Sequence, residues 1–116
     1  MAYIYIVRCD DDSLYTGITK DIKKRMKNHA EGSGPSHAKY MRSHTPKEIA
    51  ALWQTEEYKV AAKLEYAIKK LKRADKERLV SGELAIDEAF PNLAEFEFVR
   101  VKDISLCELL STDKNE

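Results

Sequence analysis

The stretch AYIYIVRCDDDSLYTGI, residues 2–18, decides the fold. Its first eight residues are β-branched, aromatic or otherwise apolar almost throughout, which is the composition of a strand. Asp10, Asp11, Asp12 and Ser13 then read as a turn, because aspartate tolerates unusual backbone angles and bonds to its own chain. Leu14 to Ile18 is a second strand, so the two form a hairpin. With a three-residue loop at 10–12, Val7 faces Tyr15, and Tyr5 lies one diagonal step from Tyr15 on the same face. Two phenols on one face suit a site, although tyrosine also suits strands for packing alone. Gly17 at the end of the second strand points to a close backbone approach or a left-handed residue.

Working outward, Thr19 or Asp21 caps a helix that runs to about Glu31, with Ile22, Met26 and Ala30 at four-residue spacing. Gly32 to Pro35 ends it, and 37–44 is expected to be a short polar helix closed by Pro46. Residues 49–53 suit helix or strand by composition, and their shortness and flanking turn and charge signals favour a third strand. The helix at 57–72 carries an apolar stripe of Val60, Ala61, Leu64, Ala67, Ile68 and Leu71, with lysines around the rest. A shorter helix near 74–81 stops at Gly82, helix is expected again within 83–90, and the alternation at 96–101 fits an edge strand. The expected fold class is α+β: a small antiparallel three-stranded sheet flanked by helices, with an added strand available in the C-terminal extension.

The 116 residues carry 20 basic and 20 acidic side chains, but that balance divides. Residues 1–80 hold 17 Lys/Arg against 11 Asp/Glu, and 81–116 hold 3 against 9. By charge the chain is therefore a basic body with an acidic tail, and the expected division is a domain at 1–82 followed by an acidic extension at 83–116. Cys9 and Cys107 lie far apart outside any CxxC pair, which fits a reduced, cytoplasmic chain. No run of apolar residues is long enough to span a membrane. His29, His37 and His44 lack zinc-ligand spacing, and there is no glycine-rich phosphate loop.

Three further side chains stand at the margins of apolar faces. On the first helix Arg25 and His29 are four apart, and lie about 100° and 60° from Met26 on the same side. On the long helix Glu65 follows Leu64, about 100° from the centre of the stripe. From the edge of their helix's apolar face Arg25 and His29 can reach into a cleft, but by themselves they read first as ordinary solvated charges on a basic helix. Glu65 reads as an ion-pair partner for a neighbouring lysine, or as a ligand for Mg²⁺, which is commonly held by one or two carboxylates with waters and phosphate.

The ordered set Tyr3-Ile4-Tyr5, Tyr15-Thr16-Gly17, Arg25 with His29, and Glu65 on a helix resembles the GIY-YIG nuclease domain over about residues 2–80. It is most similar to short stand-alone bacterial members, themselves similar to the catalytic domain of structure-selective resolvases. Tyr3 stands where the first triplet has glycine, Thr16 is the middle residue of the second, and no asparagine lies between Glu65 and Asn92. The resemblance implies an endonuclease that hydrolyses DNA phosphodiester bonds, at branched or damaged structures in DNA repair, with Mg²⁺ or Mn²⁺. It implies Tyr5, Tyr15, Arg25, His29 and Glu65 as the catalytic set, with Glu65 the metal ligand. The competing readings are a non-catalytic nucleic-acid binder and a protein-interaction module that keep the fold.

Overall fold

In the computed structural model, which describes residues 1–31, 45–102, 104 and 105, the hairpin forms as its sequence dictates. Strand β1 (Ala2–Cys9) pairs antiparallel with β2 (Leu14–Thr19), with Val7 opposite Tyr15 and Tyr5 opposite Gly17. The loop closes through the Cys9 N–H donating to the Ser13 carbonyl at 2.9 Å, with Asp12 in the left-handed region at φ 69°. That is the form of a three-residue hairpin, in which a turn is followed by one left-handed residue. Asp11 Oδ1 accepts from both the backbone N–H and the hydroxyl of Ser13.

The third strand, β3 (Pro46–Thr55), pairs with the other edge of β1 and extends beyond the five residues expected from sequence. The pairing shifts register between Ile6 and Val7 and again between Arg8 and Cys9. The sheet has a fourth strand, β4, in the order β2-β1-β3-β4. β4 spans only Val99–Arg100, which corrects the longer edge strand expected over 96–101. Arg100 explains its anchoring. Its guanidinium donates to the carbonyls of Leu79, Val80 and Ala50 and stacks 5.2 Å from the Trp53 ring.

Helix α1 (Ile22–Glu31) starts where Asp21 Oδ1 accepts from the Lys24 N–H, so Asp21 is the cap, and Thr19 Oγ1 accepts from the Asp21 N–H. α2 (Tyr58–Lys69) is shorter than the expected 57–72, and α3 (Arg73–Ser81) ends on Gly82 in the left-handed region at φ 87°. Within 83–90 only α4 (Ile86–Ala89) is α-helical, followed by a 3₁₀ turn at Pro91–Leu93. The short helix expected at 37–44 lies outside the described residues. No described helix is long and apolar enough to cross a membrane.

β1 lies between two apolar layers because its alternate side chains feed different cores. Ala2, Ile4 and Ile6 pack with Ile18, Trp53, Ala61, Leu64, Ile68 and Leu79, the α2–α3 side. Phe90 and Leu93 from the extension join this same cluster. Tyr5, Val7 and Cys9 pack on the opposite face with Ile22, Met26 and Leu52, the α1 side. α3 is tied to the hairpin by charge: Arg8 reaches Glu77 at 2.8 Å, Glu48 at 3.1 Å and Asp12 at 3.1 Å, while Arg73 also holds Glu77 at 2.8 Å.

Candidate active site

The phenol of Tyr5 is the centre around which the other candidate side chains gather. It is fully buried, and it fits because its cross-strand partner has no side chain. A Cβ added at Gly17 would stand 2.6 Å from Tyr5 Cζ and 3.1 Å from Cε1. Gly17 is thus required for a close approach and not for a left-handed backbone, which settles the two alternatives that its position in the strand left open.

Tyr15 lies on the same face one diagonal step away, its ring centroid 6.3 Å from that of Tyr5. α1 brings His29 against both rings, with centroids 5.9 Å from Tyr5 and 5.7 Å from Tyr15. His29 is buried, and its Nε2 is 2.9 Å from the Tyr5 hydroxyl. One turn earlier, Arg25 directs a guanidinium nitrogen to the same hydroxyl at 3.5 Å. That contact is long for a hydrogen bond, so its main effect is electrostatic.

Glu65 enters from α2, across the β2 edge. Its carboxylate is 22% exposed and pairs with Lys69 at 3.2 Å. The Lys69 ammonium also lies 5.9 Å from the centre of the Tyr15 ring, linking α2 to the hairpin face. The ion-pair reading of Glu65 is therefore met in this structure, and Lys69 belongs to the neighbourhood although it was not among the residues expected there. Its spacing of four from Glu65 was the available signal.

Burial pushes the Tyr5 hydroxyl well above the usual phenol range, against the lowering effect of the Arg25 charge. Tyr15 is also raised, first by burial, while Lys69 opposes the shift and Glu65 adds to it. The charge of Glu65 acts on both phenols in the same direction. Tyr5, Tyr15, Arg25, His29 and Glu65 thus form one electrostatically connected neighbourhood built from β1, β2, α1 and α2.

Among the described residues no group of three or more His, Cys, Asp or Glu side chains gathers as a metal-binding cluster. The described residues therefore offer no all-protein cage, and the carboxylate linked to the phenol face, through Lys69, is that of Glu65. Cavities of about 720 Å³ beside Thr55, Val60 and Phe96, about 640 Å³ beside Met1, Lys20 and Tyr58, and about 470 Å³ between Trp53, Leu84 and Phe98 lie away from these side chains.

The domain is a small α+β fold with paired tyrosines on its hairpin, Arg25 one turn before His29 on α1, and Glu65 on α2. The GIY-YIG catalytic domain matches residues 1–78, and the chain belongs to this GIY-YIG family. It is 44% identical over 79 residues to the UPF0213 protein BH0048 of Halalkalibacterium halodurans, covering 68% of this chain and 81% of that one. It is 37% identical over 93 residues to a UPF0213 protein of Klebsiella pneumoniae, covering 80% of this chain and 85% of that one. A solution NMR structure of the BH0048 protein aligns with 35% identity and a TM-score of 0.44 over 81% of this chain and 98% of that one.

Proposed function

We propose that this protein is a metal-dependent endonuclease that hydrolyses DNA phosphodiester bonds, with branched or damaged DNA as its substrates. The observation that carries the reading is the convergence of Tyr5, Tyr15, Arg25 and His29 on one face, with Glu65 joined to it through Lys69, which pairs with the carboxylate and lies beside the Tyr15 ring.

Cleaving a phosphodiester requires an activated water, neutralisation of charge on the phosphate oxygens, and stabilisation of the leaving oxygen. Arg25 supplies a planar, permanently charged fork for the non-bridging oxygens. Tyr5 is neutral at physiological pH, so it acts as a base by passing its proton on as it accepts one. His29 Nε2, 2.9 Å from the Tyr5 hydroxyl, is the acceptor for that proton. Tyr15 sits nearer solvent and orients the water or the phosphate. Glu65 is the residue that would hold Mg²⁺ or Mn²⁺, and the bound ion supplies Lewis-acid stabilisation of phosphate charge. The basic excess of residues 1–80 fits a phosphate-handling body, and in this reading 83–116 is an acidic extension to it.

The test is cleavage of branched, flapped and plain duplex DNA with Mg²⁺ by the parent, Glu65→Gln and Arg25→Ala, with circular dichroism confirming that each is folded. The parent is expected to cut at least one substrate and both variants to lose about a hundredfold or more. If the parent cuts no substrate faster than Glu65→Gln, the protein is not this enzyme.

A further inference from the structure

The outer face of α2 has a composition that neither the fold nor the catalytic set explains. Among the described residues the large exposed hydrophobics are Met1, Tyr58, Tyr66 and Val99, and two of these four stand on α2. Tyr66 is 64% exposed, directly opposite the buried stripe of Val60, Leu64 and Ile68. Both tyrosines carry an ammonium beside the ring: Lys70 lies 4.3 Å from the Tyr66 centroid and Lys20 lies 5.5 Å from that of Tyr58. Lys59, Lys63 and Lys69 are exposed along the same helix.

Exposed rings that are each flanked by a positive charge are poorly suited to a dry protein interface, whose centre is depleted of charge. They match the two requirements of unpaired nucleic acid: flat surfaces on which bases stack, and cations spaced along the phosphates. One face of the Tyr66 ring is engaged by Lys70, and a base needs only the other. Tyr66 also follows Glu65 directly, so the two Cα atoms are about 3.8 Å apart while their side chains diverge by about 100°. A phosphate at Glu65 would leave the adjoining nucleotide beside Tyr66.

We propose that the outer face of α2 binds single-stranded DNA next to the scissile phosphate, with Tyr66 stacking on an unpaired base, Lys70 on its phosphate, and Tyr58 with Lys20 continuing the track. This rests on the nuclease reading and narrows its substrate to DNA with an unpaired segment at the cleavage point. A continuous duplex offers no free base face to Tyr66, so it gains only the lysine contacts.

The test measures fluorescence anisotropy of labelled single-stranded DNA, blunt duplex, and duplex with a single-stranded flap. The protein is the full chain carrying Glu65→Gln to prevent cutting, with and without Tyr66→Ala or Tyr66→Phe. Tyr66→Ala is expected to weaken single-strand and flap binding about five- to a hundredfold, with blunt-duplex binding changed less than about twofold. Tyr66→Phe, which keeps the ring, is expected to bind as the unsubstituted Glu65→Gln protein does. Equal single-strand affinity of Tyr66→Ala and the unsubstituted protein overturns the inference and leaves the nuclease reading standing. An equal loss on blunt duplex overturns it as well, because stacking cannot be the cause. If the unsubstituted protein binds none of the probes, the nuclease reading and the inference fall together.

Discussion

Gly17→Ala is the substitution that tests most directly how the site is built. Gly17 has no positive φ, so alanine is compatible with the backbone, and the loss of unfolded-chain freedom alone would stabilise by about 0.4–1 kcal/mol. Against this stands Tyr5. The added Cβ would lie 2.6 Å from Cζ, where carbon atoms normally rest about 3.5–4.0 Å apart, so the ring or strand must yield by about 1 Å. Tyr5 has no exposed surface and is held by the 2.9 Å contact with His29, which leaves little room for it to give way. Overpacking of this kind costs about 1–3 kcal/mol, so the net effect is a loss of about 1–2 kcal/mol. For a chain of this size that lowers the Tm by roughly 4–8 °C. Thermal melts followed by circular dichroism on Gly17→Ala, Tyr5→Leu and the double variant isolate the cause. The penalty should shrink or reverse in the Tyr5→Leu background, where no ring opposes the methyl group. A misplacement of about 1 Å at a catalytic group can also cost about a hundredfold in rate, so cleavage by Gly17→Ala should fall further than its stability suggests. The same destabilisation in both backgrounds would refute the close-approach account.

Two further perturbations probe charges, one in the contacts that tie α3 to the hairpin and one beside the site. Glu77 is held at about 2, well below its ordinary value of 4.5, by hydrogen bonds first from Arg8 and then from Arg73. A lowered folded pKa contributes stability that is fully present above pH 4.5 and is lost as pH falls towards 2, so Glu77→Gln should flatten the acid limb of the stability profile in urea titrations over that window; an unchanged limb would remove this network from the account. Lys69→Met takes away the ammonium that pairs with Glu65 at 3.2 Å, and a partly exposed pair of this kind is worth up to about 1 kcal/mol. Mn²⁺ titration of the protein followed by electron paramagnetic resonance should therefore show up to about fivefold tighter binding in Lys69→Met, and weaker binding would mean that the lysine does not compete for the carboxylate.

The hairpin was legible because its signals are local. Period-two alternation and a three-residue loop are sufficient to place Val7 against Tyr15 and to put Tyr5 on the same face. Arg25 and His29 follow from helical angles measured from Met26, which is buried as expected. What could not be read locally depends on partners remote in sequence. The pairing of β4 is confined to two residues by contacts with Trp53 and Gln54, and the carbonyls that hold Arg100 belong to α3 and β3. Charge marks residues 83–116 as different from the body, but it registers only surface preference. Phe90 and Leu93 reach the α2–α3 core because apolar burial acts independently of the charges around it.

The environments of the two tyrosines differ in a way that their sequence triplets do not reveal, and this separates their work. Tyr5 is sealed beneath Gly17 and bonded to His29, so a proton can leave its hydroxyl only along a path the protein itself supplies. Tyr15 stands at the sheet edge with Lys69 beside its ring, where a phosphate can approach. Burial raises both phenols, so neither serves as a free phenolate. The useful distinction is access: the enclosed phenol suits proton transfer and the open one suits contact with substrate. In the proposed mechanism the division makes Gly17 matter to chemistry as well as to folding. A side chain there would press on the enclosed phenol and disturb the 2.9 Å contact with His29 on which the proposed proton transfer depends.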